Sequence, residues 1–91
     1  MGQLLQIAAA PNPVTQGRLG IDFKLDGQAR HAEARLYTKA LVVAWQGSLD
    51  GDFGPGWNRQ VVDLGGLPQG FYVLTLRVGA SRKLAPVFLM K

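Results

Sequence analysis

The sequence predicts an all-β domain, two antiparallel sheets packed face to face and built from about seven short strands. Three observations carry the prediction. Apolar and polar residues alternate with a period of two over most of the chain, the repeat of a strand with one face on a core and one in water. Turn residues punctuate the alternation at the spacing of about 8–12 residues that marks an all-β sandwich. Finally, Leu67-Pro68-Gln69-Gly70-Phe71-Tyr72 leads a Pro/Gly turn straight into a long alternating stretch ending at Val78.

The first strand is read over residues 4–9 and stops at Pro11-Asn12-Pro13, where two prolines remove donors and hold the backbone extended. Residues 18–25 form the second, with Leu19, Ile21, Phe23 and Leu25 inward and Arg18, Asp22 and Lys24 outward. Asp26-Gly27 turns it. Residues 29–36 are decent helix formers, yet Ala32, Ala34 and Leu36 alternate with Glu33, Arg35 and Tyr37, so a strand is expected over 32–37. After Thr38-Lys39-Ala40 the next strand covers 41–46, with Leu41, Val43 and Trp45 on one face. Residues 47–56, rich in Gly, Ser, Asp and Pro, read as a loop. Strands over 58–64, 71–78 and 83–90 complete the chain. Its first and last strands are the expected edges, and Pro86 suits an edge because it cannot donate to a central ladder.

Tyr72, two residues after Gly70 and five after Leu67, has the setting of a tyrosine corner: the ring packs inward and the hydroxyl bonds back to the crossing loop. That corner marks an Ig-like or fibronectin-like β-sandwich. Ninety-one residues make one such domain, and with no cysteine its stability must come from core packing. Met1-Gly2 reads as a start added to a piece cut from the C-terminus of a longer protein, with any export signal outside this sequence. No stretch has the length of a membrane-spanning helix. Ten basic against six acidic residues give a net charge of +4, but the cations are scattered along the strands. A nucleic-acid binder gathers them into a stripe with stacking aromatics, so nucleic acid is not an expected partner.

Catalytic chemistry finds few parts. His31 is the single histidine, any Ser–His–Asp set would have to use it, and Ser48 and Ser81 lack a nucleophile-elbow context. Asp50-Gly51-Asp52-Phe53-Gly54 has a spacing able to wrap oxygens around calcium, although a third ligand and a bidentate glutamate are missing. Calcium at Asp50 and Asp52 is therefore the sole cofactor the residues suggest, with a plain turn as the simpler reading. Flat aromatics on a β-sandwich stack on sugar rings, and Trp57, Phe53 and Asn58 are the candidate ligand-binding set, with Trp45 more suited to the core.

In order along the chain, the punctuation resembles the type IX secretion C-terminal sorting domains and the related Ig-like domain of the flagellar hook-capping protein. The matching pieces are Pro11-Asn12-Pro13 after a first strand, the alternating strand through Leu25, and the strand pair holding Leu36-Tyr37 and Trp45. They continue with Leu67-Pro68-Gln69-Gly70-Phe71-Tyr72-Val73-Leu74-Thr75-Leu76 and a hydrophobic last strand ending in Lys91. Where that family often places Asp-x-x-Gly between its middle strands, this chain has Thr38-Lys39-Ala40-Leu41. The resemblance implies a non-catalytic accessory module of a secreted or cell-surface bacterial protein. Its role would be sorting, assembly or protein interaction through its surface and last strand, Val87, Phe88, Leu89 and Lys91. The implied partner is secretion or surface-assembly machinery, or an adjacent domain of the same chain. The alternatives are a polysaccharide-binding module using Trp57 and a spacer beside a catalytic domain.

Overall fold

Seven strands account for the architecture: β1 (Leu4–Ala10), β2 (Arg18–Leu25), β3 (Ala29–Tyr37), β4 (Val43–Phe53), β5 (Gly56–Asp63), β6 (Gly70–Val78) and β7 (Ser81–Leu89). They come from a computed structural model that describes residues 2–10 and 14–90. The turn expected at Pro11-Asn12-Pro13, Met1 of the expected added start and Lys91 of the expected interaction strand lie outside the described residues.

The strands form two antiparallel sheets, one ordered β1-β2-β5 and the other β4-β3-β6-β7. Period-two alternation is what lets them face each other. Leu19, Ile21, Phe23 and Leu25 from β2 meet Ala32, Ala34 and Leu36 from β3 and Tyr72, Leu74, Leu76 and Val78 from β6 in one buried cluster. The alanines of β3 leave volume that the larger side chains of the facing sheet fill. Val87 and Leu89 of β7 complete that floor. The edges are β1 and β5 in one sheet and β4 and β7 in the other. Beyond β7, Val14 adds a short parallel bridge at Leu89, donating to the Phe88 carbonyl and accepting from the Met90 amide.

Two expectations need correction. Residues 47–56 are not a loop, because β4 runs through Phe53 and only Gly54-Pro55 separates it from β5. One of the glycines serves packing. A side-chain carbon on Gly47 would press into the Trp45 ring, so Gly47 clears space for that aromatic on the inward face, whereas one on Gly51 would make ordinary contact with Phe53. Leu41, Val43 and Trp45 also do not share a face. The pairing runs from Leu36↔Trp45 to Tyr37↔Val43, so Ala44 is an extra residue that reverses the alternation. Trp45 packs against the core, Val43 faces water, and Leu41 lies in the turn before β4. Gly2 is buried, and its amide donates to the Gln28 carbonyl at 2.6 Å.

Candidate functional site

The outer face of the four-stranded sheet is divided into a charged end and an apolar end, and the ladder registers dictate both. At the charged end, His31 stands opposite Asp50, Glu33 opposite Arg77, and Arg77 opposite Arg82. His31 Nδ1 lies 2.7 Å from Asp50 Oδ1, and its Nε2 lies 3.5 Å from Glu33 Oε1. Arg77 Nη2 donates to the far oxygen of Glu33 at 2.8 Å. The hydrogen bond to Asp50, then that to Glu33, raises the His31 pKa, while the His31 bond and the Arg77 charge lower that of Glu33. Both imidazole nitrogens face carboxylates, so neither is left to activate a serine hydroxyl.

The apolar end lies two rows beyond Glu33 and Arg77, past the row that holds Arg35, Thr75 and Leu84. Val43, Tyr37, Val73 and Pro86 form a row across all four strands, with Phe71 beside Phe88 in the next position and Leu84 beside Thr75. Leu84 is 64% exposed and Phe88 49%. The Phe71 and Phe88 rings lie 4.9 Å apart in a tilted pair, and Lys39 reaches over Phe71 with its Nζ 6.0 Å from the centroid. Lys39 comes from the β3–β4 turn, which adds two more apolar side chains: Leu41, 78% exposed, and Val42, 60% exposed. Thr38 closes that turn. Its amide donates to the Val42 carbonyl, its carbonyl accepts the Leu41 amide, both at 2.9 Å, and its Oγ1 accepts the Val42 amide at 3.3 Å. Leu41 has φ +64°, the left-handed conformation.

The structure separates the residues singled out in the sequence. Phe53 is not a ligand-facing aromatic: it is 4% exposed and packs edge-on against Phe23 at 5.0 Å, because inward alternation along β4 carries it into the core. Asn58 acts within the hairpin, its Nδ2 donating to the carbonyls of Gly54 at 2.9 Å and Gly56 at 3.3 Å. Trp57 is 55% exposed on the outer face of the three-stranded sheet, beside Lys24. Asp50 and Asp52 sit along a strand instead of wrapping a loop, Asp50 engaged by His31 and Asp52 within 3.7 Å of Arg30 Nε. No group of three or more candidate metal ligands occurs among the described residues. In the expected interaction strand, Val87 and Leu89 are buried in the core, and only Phe88 among the described residues of that set turns outward. Tyr72 is buried, and its hydroxyl donates to the Pro68 carbonyl at 2.6 Å, tying the strand to the turn that Leu67 and Gly70 flank.

The sequence reading missed Leu41, Val42 and Leu84 as surface features. Their signal was hydrophobicity alone, which alternation assigned to the core for Leu41; the bulge at Ala44 and the left-handed turn residue have no marker in residue type.

These strands and registers define a small all-β, Ig-like sandwich. No family model matches the chain, and no curated protein matches it by sequence. Among solved structures it is similar to CopC from Methylosinus trichosporium OB3b, with a TM-score of 0.65 and 14% identity over 98% of this chain and 93% of that one. A second likeness is to domains 4 and 5 of the S-layer protein SbsC, with a TM-score of 0.45 and 14% identity over 100% of this chain and 54% of that one. At such identity the CopC likeness shows the fold alone.

Proposed function

We propose that the chain is a non-catalytic protein-interaction module of an exported or cell-surface bacterial protein, serving as a sorting or assembly handle. The observation that carries this reading is the apolar end of the outer sheet face. Leu84, Phe88 and Val43, with Leu41 and Val42 in the neighbouring turn, expose large apolar side chains on one end of the face. The resemblance of Leu67 to Leu76 to the sorting and hook-capping modules supports the export part. Catalysis is disfavoured by the engagement of His31 with two carboxylates.

The test uses outward residues of β7, because removing Val87 or Leu89 would open the core. Phe88→Asp and Leu84→Asp are introduced separately into the parent protein, and export and surface attachment are followed by fractionation and immunoblot. The expected result is blocked sorting or attachment with the melting temperature of the domain kept. Normal export and attachment of both variants removes the reading.

A second reading, a polysaccharide-binding surface, is favoured by Trp57, a largely exposed indole on the outer sheet face, paired across the ladder with Lys24. Affinity electrophoresis in gels cast with neutral or acidic polysaccharides tests it. Retardation abolished by Trp57→Ala supports it, and unchanged mobility in all gels discards it.

A further inference from the structure

Leu41 combines two features that folding alone does not reward. It is a bulky apolar side chain almost fully in water, and its backbone sits at φ +64°. Glycine adopts that conformation freely, whereas a leucine there is strained. Thr38 supplies the side-chain acceptor and backbone bonds that hold the turn closed, so the local sequence fixes the conformation without needing this side chain. Strain maintained at an exposed apolar tip points to a contact made elsewhere.

We propose that Leu41 is the anchor of a docking site for a protein partner that offers an apolar pocket rimmed by carboxylates. The inference rests on the protein-interaction reading above and specifies its partner's chemistry. Leu41 and Val42 lead along the chain into Val43, which pairs with Tyr37 and through it with Val73, beside the Phe71–Phe88 pair. The charges on this face select the partner. Glu33, Asp50 and Asp52 are its acids, and they lie at the far end, engaged by His31, Arg77 and Arg30. Strands β6 and β7 carry no acid. The cations nearer the apolar surface are Lys39, above Phe71, and Arg35, whose Nη1 reaches the Tyr37 hydroxyl at 3.5 Å. An apolar centre with a cationic border is complemented by an apolar pocket with an anionic rim. A second copy of this chain would bring the same cations against themselves. A bilayer is a poorer fit, since Phe88 and Leu84 spread along the flank of a sheet instead of crowning one tip.

The experiment uses the full 91-residue chain and a phage-displayed random peptide library as the probe. Enriched peptides are measured against wild type, Leu41→Gly, Leu41→Ala and Lys39→Glu, and are mapped by amide shift changes. The expected binders carry several apolar residues that enclose Leu41, flanked by Asp or Glu. Their affinity should fall at least tenfold for both Leu41 variants and severalfold for Lys39→Glu. Leu41→Gly should meanwhile melt a few degrees higher than wild type, which separates lost contact from lost folding. Leu41→Ala keeps the backbone strain and loses only the side chain, so it must lose binding without that gain. Binders that shift Phe71, Phe88 and Leu84 but ignore Leu41 overturn the anchor while leaving the interaction face standing. A selection that enriches nothing on this face removes both. Binders rich in Lys or Arg, a Leu41-dependent dimer in sedimentation, or Leu41-dependent binding to phosphatidylserine vesicles each overturn the proposed partner class.

Discussion

The Tyr72 hydroxyl donates to the Pro68 carbonyl over 2.6 Å, four residues back along the chain. The ring is buried with Leu74 and Leu76 on the inner face of β6, so one side chain fastens the core to the segment that crosses from the three-stranded sheet to the four-stranded one. Tyr72→Phe keeps the ring and deletes only the bond. The expected loss is about 1–1.5 kcal/mol in urea denaturation, with a fall in melting temperature of about 4–8 °C per kcal/mol for a domain of this size. An unchanged midpoint would mean that water replaces the hydroxyl without penalty and that the crossing is held by other contacts.

Phe53 tests how much of the core depends on one aromatic from an edge strand. It meets Phe23 edge-on across the two sheets, with ring centroids 5.0 Å apart. Phe53→Ala should destabilise by about 3–5 kcal/mol. That is a large share of the roughly 5–13 kcal/mol available to a chain of this length. The expected observation is a shallow or absent cooperative transition, whereas Trp57→Ala stays within about 1 kcal/mol of wild type. If Phe53→Ala melted like wild type, the core assignment would fail.

These two aromatics also show what the sequence could convey. In β2 polar residues alternate with Leu19, Ile21, Phe23 and Leu25, and in β6 Tyr72, Leu74, Leu76 and Val78 recur at every second position, so the pattern alone places Phe23 and Tyr72 inward. In β4 the same rule was hidden. Gly47 looks like a loop residue until the Trp45 ring that needs its space is known, and this is a relation of three-dimensional packing. The extra residue at Ala44 then reverses the alternation for Val43. The candidate surface was harder to read than the fold, because a leucine in water and a leucine in a core are the same letter. Leu41 became distinctive only through its φ angle and its exposure.

His31 makes folding depend on pH in a window that its partners set. Asp50 and Glu33 hold the folded imidazole above its ordinary pKa, and Arg77 lies beyond Glu33. The protonated ring therefore contributes stability fully below about pH 6.5, and that contribution drains away as pH rises through the raised value. Glu33 acts in the opposite sense. Its pKa is lowered, so its contribution is complete above the ordinary carboxylate range and is lost as pH falls through the lowered value. Melting temperature against pH should thus show a plateau in the weakly acidic range, with a decline above it that His31→Gln abolishes. A His31→Gln profile parallel to wild type between about pH 6 and 8 would show that the exposed pairs are screened to insignificance.

Two glycines offer an internal comparison of the same substitution in opposite surroundings. Gly2 is clamped: its amide bonds to Gln28, the next residue's amide donates to Asp26 Oδ1 at 2.6 Å, and the Asp26 amide returns to the Gln3 carbonyl at 3.1 Å. A side-chain carbon on Gly2 would overlap the Gly27 carbonyl, which is backbone and cannot rotate away. Gly2→Ala must therefore part this clamp at the start of β1, with an expected loss of about 1–3 kcal/mol and faster amide exchange at Leu4 and Leu5. Gly54, in the tight turn between β4 and β5, has nothing within 4 Å of the same position. There alanine only narrows the unfolded ensemble, so Gly54→Ala should be neutral or stabilising by up to about 1 kcal/mol. Equal effects at the two positions in urea denaturation would mean that Gly2 is not part of the packed domain, and the seating of β1 against the Asp26–Gln28 turn would have to be abandoned.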